Sequence, residues 1–92
     1  MTKAELVDQV SEETGFTKKD SADIVNAFLD IVIDTLSKGQ GIEIRGFGSF
    51  KVKKRDQRVA RNPRTGESVI VPAKSVPVFK PSKDLKSMVS QL

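Results

Sequence analysis

The sequence predicts an α+β fold, with helices in the first 40 residues and β-strands in most of the remainder. Apolar residues recur with a helical period up to about residue 37 and alternate from residue 41 onward. The charge divides at the same place. Residues 1–40 hold four lysines and eight acidic residues, whereas residues 41–92 hold twelve lysines and arginines and four acidic residues. This asymmetry predicts that the first part folds and pairs while the second meets a polyanion.

The first helix is predicted to begin after Thr2 and to end at Gly15. Thr2 and Glu5 have the spacing of a capping box, in which the hydroxyl caps the helix and the carboxylate reaches back to the backbone N–H of the capping residue. The second helix is predicted to run from a cap at Thr17 to a stop at Gly39.

The apolar surface of the second helix is too broad for one short partner helix to cover. One apolar face contains Ala22, Val25, Phe28, Leu29, Val32 and Leu36, and it is widened by Ile24, Ala27, Ile31 and Ile33. A second copy of the chain is the expected cover, with Phe28 and Val32 in the dimer core.

The second half of the chain is predicted to form strands and a short last helix. The predicted strands are 41–45, 49–53, 67–71 and 76–80, with an interruption at 72–75. Ser82 is expected to cap a third helix from Lys83 to about Ser90.

Composition argues against several classes of function. The chain has no histidine and no cysteine, and it shows neither a paired-carboxylate cleft nor a glycine-rich phosphate loop. We therefore expect no enzyme activity, no metal site and no cofactor. No apolar run is long enough to span a membrane, and the acidic amphipathic opening is unlike a secretory signal. A cytoplasmic protein with no membrane contact is expected.

Residues from about 53 to 74 have too few apolar side chains to be core. Their halves are predicted to pair as a ribbon around a turn at 62–66, and ten extended residues reach roughly 33 Å. Lys51–Arg64 holds seven basic residues against one acid, Asp56. We interpret the ribbon as an arm that orders on a nucleic acid duplex. The alternative is a solvated hairpin whose charges aid solubility.

The tip of this arm has a distinctive composition. Arg61 and Arg64 flank Asn62-Pro63, and Gly66 allows the chain to turn. Minor-groove proteins insert compact apolar side chains, including proline, between base pairs and so kink DNA. Pro63 is therefore a candidate wedge, and the alternative is that it only shapes the turn.

Three segments together resemble the HU/IHF family of bacterial nucleoid proteins: Gly46–Phe50, Arg61–Gly66 and Val78–Lys86. The resemblance covers essentially the whole chain. It implies an intertwined dimer with a helical base and two β-arms that embrace the minor groove. Residues 1–92 would then be a single domain, with a helical dimerisation part (1–40), a sheet (41–81) bearing the DNA-binding arm (about 53–74), and a C-terminal helix (82–92).

The resemblance also implies residue roles. Pro63 matches the intercalating proline, and Arg61 and Asn62 match its neighbours in the minor groove. The residues expected to contact DNA are Lys3, Lys53, Arg55, Arg58, Arg61, Asn62, Pro63, Arg64, Lys74, Lys80, Lys83 and Lys86. Lys3, Lys83 and Lys86 lie at helix beginnings, which suit phosphate, although solvated surface lysines are the alternative. The family precedent assigns Phe47, Phe50 and Phe79 to the dimer core rather than to base stacking, which mainly serves single strands.

The expected function is therefore that of an architectural DNA-binding protein. It would bind the minor groove with weak sequence selectivity, bend DNA by proline intercalation and compact the bacterial nucleoid. Its expected partners are double-stranded DNA, above all bent, nicked or junction DNA, and a second copy of itself. Two alternatives stay open: an IHF-like subunit that forms a heterodimer with a paralogue, and a dimer whose basic arm binds an acidic protein.

Overall fold

The computed structural model describes all residues from 1 to 92. The helices are α1 (Lys3–Thr14), α2 (Lys18–Ser37) and α3 (Lys83–Val89). The strands are β1 (Ile42–Ile44), β2 (Gly48–Arg55), β3 (Arg58–Arg61), β4 (Ser68–Val71) and β5 (Lys74–Pro81). All strand pairs are antiparallel, which agrees with the predicted α+β class. The chain divides into two compact units, Met1–Thr35 and Leu36–Leu92.

Both ends of α1 are capped as the sequence predicts. The Thr2 hydroxyl accepts from the backbone N–H of Glu5 at 3.2 Å and donates to the Glu5 carboxylate at 3.4 Å. At the other end Gly15 adopts a left-handed conformation with φ of 78°, and its N–H donates to the carbonyl of Ser11 at 3.0 Å. Glycine is favoured there because a side chain would strain this conformation.

The first unit, Met1–Thr35, is the helical unit, and it buries very few side chains. Val7 on α1 is its one buried apolar residue, and Ser21 on α2 is completely buried. The second helix begins as predicted, with the Thr17 hydroxyl accepting from the backbone N–H of Asp20 at 3.1 Å. Large apolar side chains of α2 are left exposed in the single chain: Ile24, Phe28, Leu29, Ile31 and Ile33.

The second unit is built on a three-stranded sheet with the order β1-β2-β5. The β2 and β5 strands pair over eight residues, from Gly48 opposite Pro81 to Arg55 opposite Lys74. The interruption predicted at 72–75 is therefore too long. Ser75 and Lys74 already pair with β2, so the chain leaves regular pairing only at 72–73.

Three phenylalanine rings cluster where β2 and β5 meet the preceding turn. The ring centroids of Phe50 and Phe79 are 5.0 Å apart, and those of Phe47 and Phe79 are 5.2 Å apart. Gly48 makes this cluster possible, because a Cβ there would lie 2.6 Å from both the Phe79 ring and the carbonyl oxygen of Lys80. Phe47 and Phe79 nevertheless stay partly exposed in the single chain.

Ser82 joins α3 to the sheet. Its hydroxyl accepts from the backbone N–H of Leu85 at 3.1 Å, which caps the helix as predicted. The same hydroxyl donates to the carbonyl of Gly46 at 2.9 Å. The start of α3 is thereby attached to the turn that precedes β2.

Candidate nucleic-acid interface

The predicted arm is a two-stranded ribbon made by β3 and β4. Four residue pairs form it, from Arg58 opposite Val71 to Arg61 opposite Ser68. Because β2 and β5 still pair at Arg55 and Lys74, the part of the arm beyond the sheet comprises residues 56–73. Every residue from Arg61 to Ile70 is exposed, so the ribbon has no core of its own.

The tip is a tight loop closed by backbone hydrogen bonds. The N–H of Asn62 donates to the carbonyl of Glu67, and the N–H of Gly66 donates to the carbonyl of Asn62, both at 2.8 Å. Gly66 has a φ of 75°, which is a conformation that favours glycine. This loop presents the exposed Pro63 at the end of the ribbon.

The side chain of Asn62 is part of the same loop. Its Oδ1 accepts from the backbone N–H of Arg64 at 2.9 Å, which forms an Asx-turn around Pro63. The Thr65 hydroxyl also accepts from the backbone N–H of Glu67 at 3.3 Å. Asn62, predicted to contact DNA, therefore also shapes the loop that holds the proline.

The two strands of the arm differ in charge. Side chains alternate between the faces of a ribbon, so Arg58 and Arg61 lie on opposite faces. Both belong to β3, whereas β4 has the sequence Ser-Val-Ile-Val and no charge. Exposed Val59 and Ile70 form a cross-strand pair on the Arg61 face. The arm thus combines cationic side chains with apolar ones, and a groove lined by phosphates and sugars offers both kinds of contact.

Five cations share one face of the main sheet, opposite the face of Phe50 and Phe79. The register and the alternation along β2 and β5 place on this basic sheet face Lys51, Lys53, Arg55, Lys74 and Lys80. All five are exposed. Arg55 and Lys74 are direct cross-strand partners, and like charges in that position repel each other. A bound polyanion would relieve this repulsion.

The basic sheet face brings together four residues predicted from the sequence, Lys53, Arg55, Lys74 and Lys80, and adds Lys51. The strict alternation of β2 was the signal for Lys51, because it shares the parity of Lys53. Lys54 lies on the opposite face, across from Ser75.

Of the remaining predicted lysines, two lie at helix beginnings as expected and one does not. Lys3 and Lys83 are the first residues of α1 and α3, whereas Lys86 lies in the last turn of α3, because that helix has only seven residues. The Nζ of Lys3 donates to the Oδ1 of Asn26 at 3.0 Å. These lysines are exposed and available to a phosphate. None of the helices is long and apolar enough to traverse a lipid bilayer. The carboxylates do not gather into groups that could hold a metal ion.

An α+β chain with a basic sheet face and a basic, proline-tipped ribbon has the features of a DNA-binding protein of the architectural class. The model of the family described as "Bacterial DNA-binding protein" matches residues 1–90. The chain belongs to this family, whose members include HU and the subunits of integration host factor and which contains DNA-binding proteins rather than enzymes.

Relatives of both kinds match along almost the whole chain. The chain is 45% identical over 89 residues to the DNA-binding protein HU of Geobacillus stearothermophilus, covering 97% of this chain and 99% of the relative. It is 43% identical over 90 residues to integration host factor subunit alpha of an Anaeromyxobacter species, covering 98% and 91%. Among solved structures, an Anabaena HU–DNA cocrystal structure matches with a TM-score of 0.90 and 38% identity, covering 100% of both chains. HU from Thermotoga maritima matches with a TM-score of 0.70 and 35% identity, covering 97% of this chain and 98% of that one. These matches support the predicted HU fold.

Proposed function

We propose that the protein binds the minor groove of duplex DNA and kinks it by inserting Pro63 between base pairs. It binds with weak sequence selectivity and, by bending DNA, compacts and organises the bacterial nucleoid in the cytoplasm. The observation that carries this proposal is the position of Pro63, an exposed apolar ring at the end of a ribbon that bears Arg58 and Arg61. An apolar wedge on a cationic arm is the combination that bends DNA from the minor groove.

We further propose that the binding unit is a homodimer. A chain of 92 residues whose one buried apolar side chain is Val7 cannot offset the conformational entropy lost on folding. A second copy would cover the exposed face of α2, including Phe28 and Val32, and the cluster of Phe47, Phe50 and Phe79. The dimer would then present two arms to the duplex. The native mass of the chain expressed alone measures whether the dimer forms.

DNA that is already bent, nicked or branched should bind best. Unstacking a base step and bending a stiff duplex together cost several kcal/mol in intact DNA. That deformation is cheaper where the stack is already broken. The cocrystal structure of an Anabaena HU with DNA supports DNA, rather than an acidic protein, as the polyanion for the arm and the basic sheet face.

The variant Pro63→Ala tests the wedge, with Pro72→Ala as its matched control. Pro72 is also exposed, but it lies in the short break between β4 and β5. Pro63→Ala should bend linear DNA much less, as measured by energy transfer between dyes at the two ends. Its affinity for linear DNA should fall about three- to tenfold and should recover on nicked DNA, because most of the phosphate attraction lies along the arm and body.

The control should bend DNA like the unmodified protein. Arg61→Ala should weaken binding to linear and nicked DNA alike, because it removes a cation that would enter the narrow groove. If Pro63→Ala bends DNA as sharply as the unmodified protein, Pro63 is a turn residue and the arm is a clamp without a wedge.

A further inference from the structure

The amide of Asn62 has a fixed orientation within the tip. A backbone N–H can only donate, so the atom of Asn62 that meets the N–H of Arg64 at 2.9 Å is the oxygen. The backbone N–H and carbonyl of Asn62 are bonded to Glu67 and Gly66. The side-chain oxygen is thus directed into the loop, whereas the side-chain NH₂, which has two donors and no acceptor, makes no hydrogen bond there and can be offered to a ligand.

This orientation has a consequence for the minor groove. Adenine N3 and thymine O2 are acceptors on the floor of that groove, whereas guanine adds a donor, its N2 amino group. An NH₂ group meets adenine and thymine with a complementary partner. Against the guanine amino group it meets a second donor, and both donors lose their water without gaining a bond.

We propose that Asn62 is a specificity-determining residue that disfavours guanine at the step next to Pro63. Its oxygen holds the loop and its NH₂ group reads the groove, so one side chain positions the wedge and selects where the wedge enters. The proposal rests on the proposed function, because it requires the tip to lie in the minor groove.

Duplexes with every guanine replaced by inosine test the proposal. Inosine lacks the N2 amino group and leaves the major groove unchanged. The measured quantity is the ratio of the dissociation constant for the guanine duplex to that for the inosine duplex, determined by fluorescence anisotropy. The key variant is Asn62→Asp, because aspartate keeps an oxygen for the Arg64 N–H but has no donor.

Two other effects cancel in this comparison. The carboxylate that Asn62→Asp introduces repels the phosphates of both duplexes equally, so the added charge leaves the ratio unchanged. Inosine also pairs more weakly and makes any duplex easier to bend. This lowers the dissociation constant for the inosine duplex in every variant alike, so it does not change the comparison of ratios between variants. Thr65→Ala is the matched control, since it removes a tip hydrogen bond that offers no amide to the groove.

We expect the ratio for the unmodified protein to exceed that for Asn62→Asp by about three- to tenfold, the effect of one hydrogen bond. Thr65→Ala should keep the unmodified ratio. Equal ratios for the unmodified protein and Asn62→Asp, with bending intact in both, would overturn the role of Asn62 and leave the wedge standing. An unmodified protein that bends neither duplex would instead overturn the proposed function, and the inference with it.

Discussion

At the scale of single residues, two serines of the helical unit have opposite surroundings. Ser21 is completely buried and its hydroxyl has no hydrogen-bond partner. Ser11, in contrast, donates from its hydroxyl to the carbonyl of Phe16 at 2.7 Å. A buried hydroxyl without a partner loses its hydrogen bonds to water and gains none within the protein. The hydroxyl of Ser21 therefore destabilises the helical unit, whereas that of Ser11 stabilises it.

We predict that Ser21→Ala raises the free energy of unfolding by about 1–3 kcal/mol, because it removes an unpaired polar group and adds a better helix former. Ser11→Ala is the matched control and should be less stable than Ser21→Ala by at least about 1 kcal/mol. Urea unfolding followed by circular dichroism measures both. Equal stabilities for the two variants would mean that the Ser21 hydroxyl finds a partner in solution.

At the scale of elements, the junction between sheet and arm combines a stabilising ladder with a repulsive pair. Lys74→Gln should raise the free energy of unfolding by about 0.2–1 kcal/mol, because it ends the cross-strand repulsion with Arg55. The same change should weaken DNA binding, since it removes a cation from the basic sheet face. Denaturant unfolding and a DNA titration on one preparation measure both effects.

Lys54→Gln is the control for Lys74→Gln. Lys54 lies opposite Ser75 rather than opposite a cation, so its replacement should bring no comparable gain in stability. If Lys54→Gln raised the free energy of unfolding as much as Lys74→Gln does, the stabilisation would come from the lower net charge and not from the cross-strand pair.

Local signals were sufficient to predict most elements. The caps at Thr2, Thr17 and Ser82 depend on contacts within four residues, and the structure has all three. The sequence pattern predicts too late a start for β5, because Lys74 and Ser75 carry no apolar pattern and are ordered by pairing with β2, about twenty residues away. Shared faces such as the basic sheet face depend on that register. The Asx-turn of Asn62 has a composition signal, but its hydrogen bond depends on the backbone geometry of the closed loop.

At the scale of the whole molecule, the scarcity of buried apolar side chains in the single chain predicts that folding and association are one process. We predict that the melting temperature rises with protein concentration, because dissociation accompanies unfolding. Each tenfold increase in concentration should raise the melting temperature by roughly 3–6 °C for a dimer of this size. Thermal scans from micromolar to millimolar protein, paired with native mass, measure this. A melting temperature that is independent of concentration, together with a monomeric mass, would contradict the dimer.

The order of residues at the tip also bears on how the protein ages. Asparagine usually deamidates when the backbone nitrogen of the following residue attacks its side-chain carbonyl and closes a succinimide ring. The residue after Asn62 is Pro63, whose nitrogen carries no hydrogen and cannot complete that reaction. The amide that holds the loop is therefore protected from this common route of chemical decay, which would otherwise turn it into a carboxylate and add a negative charge at the tip.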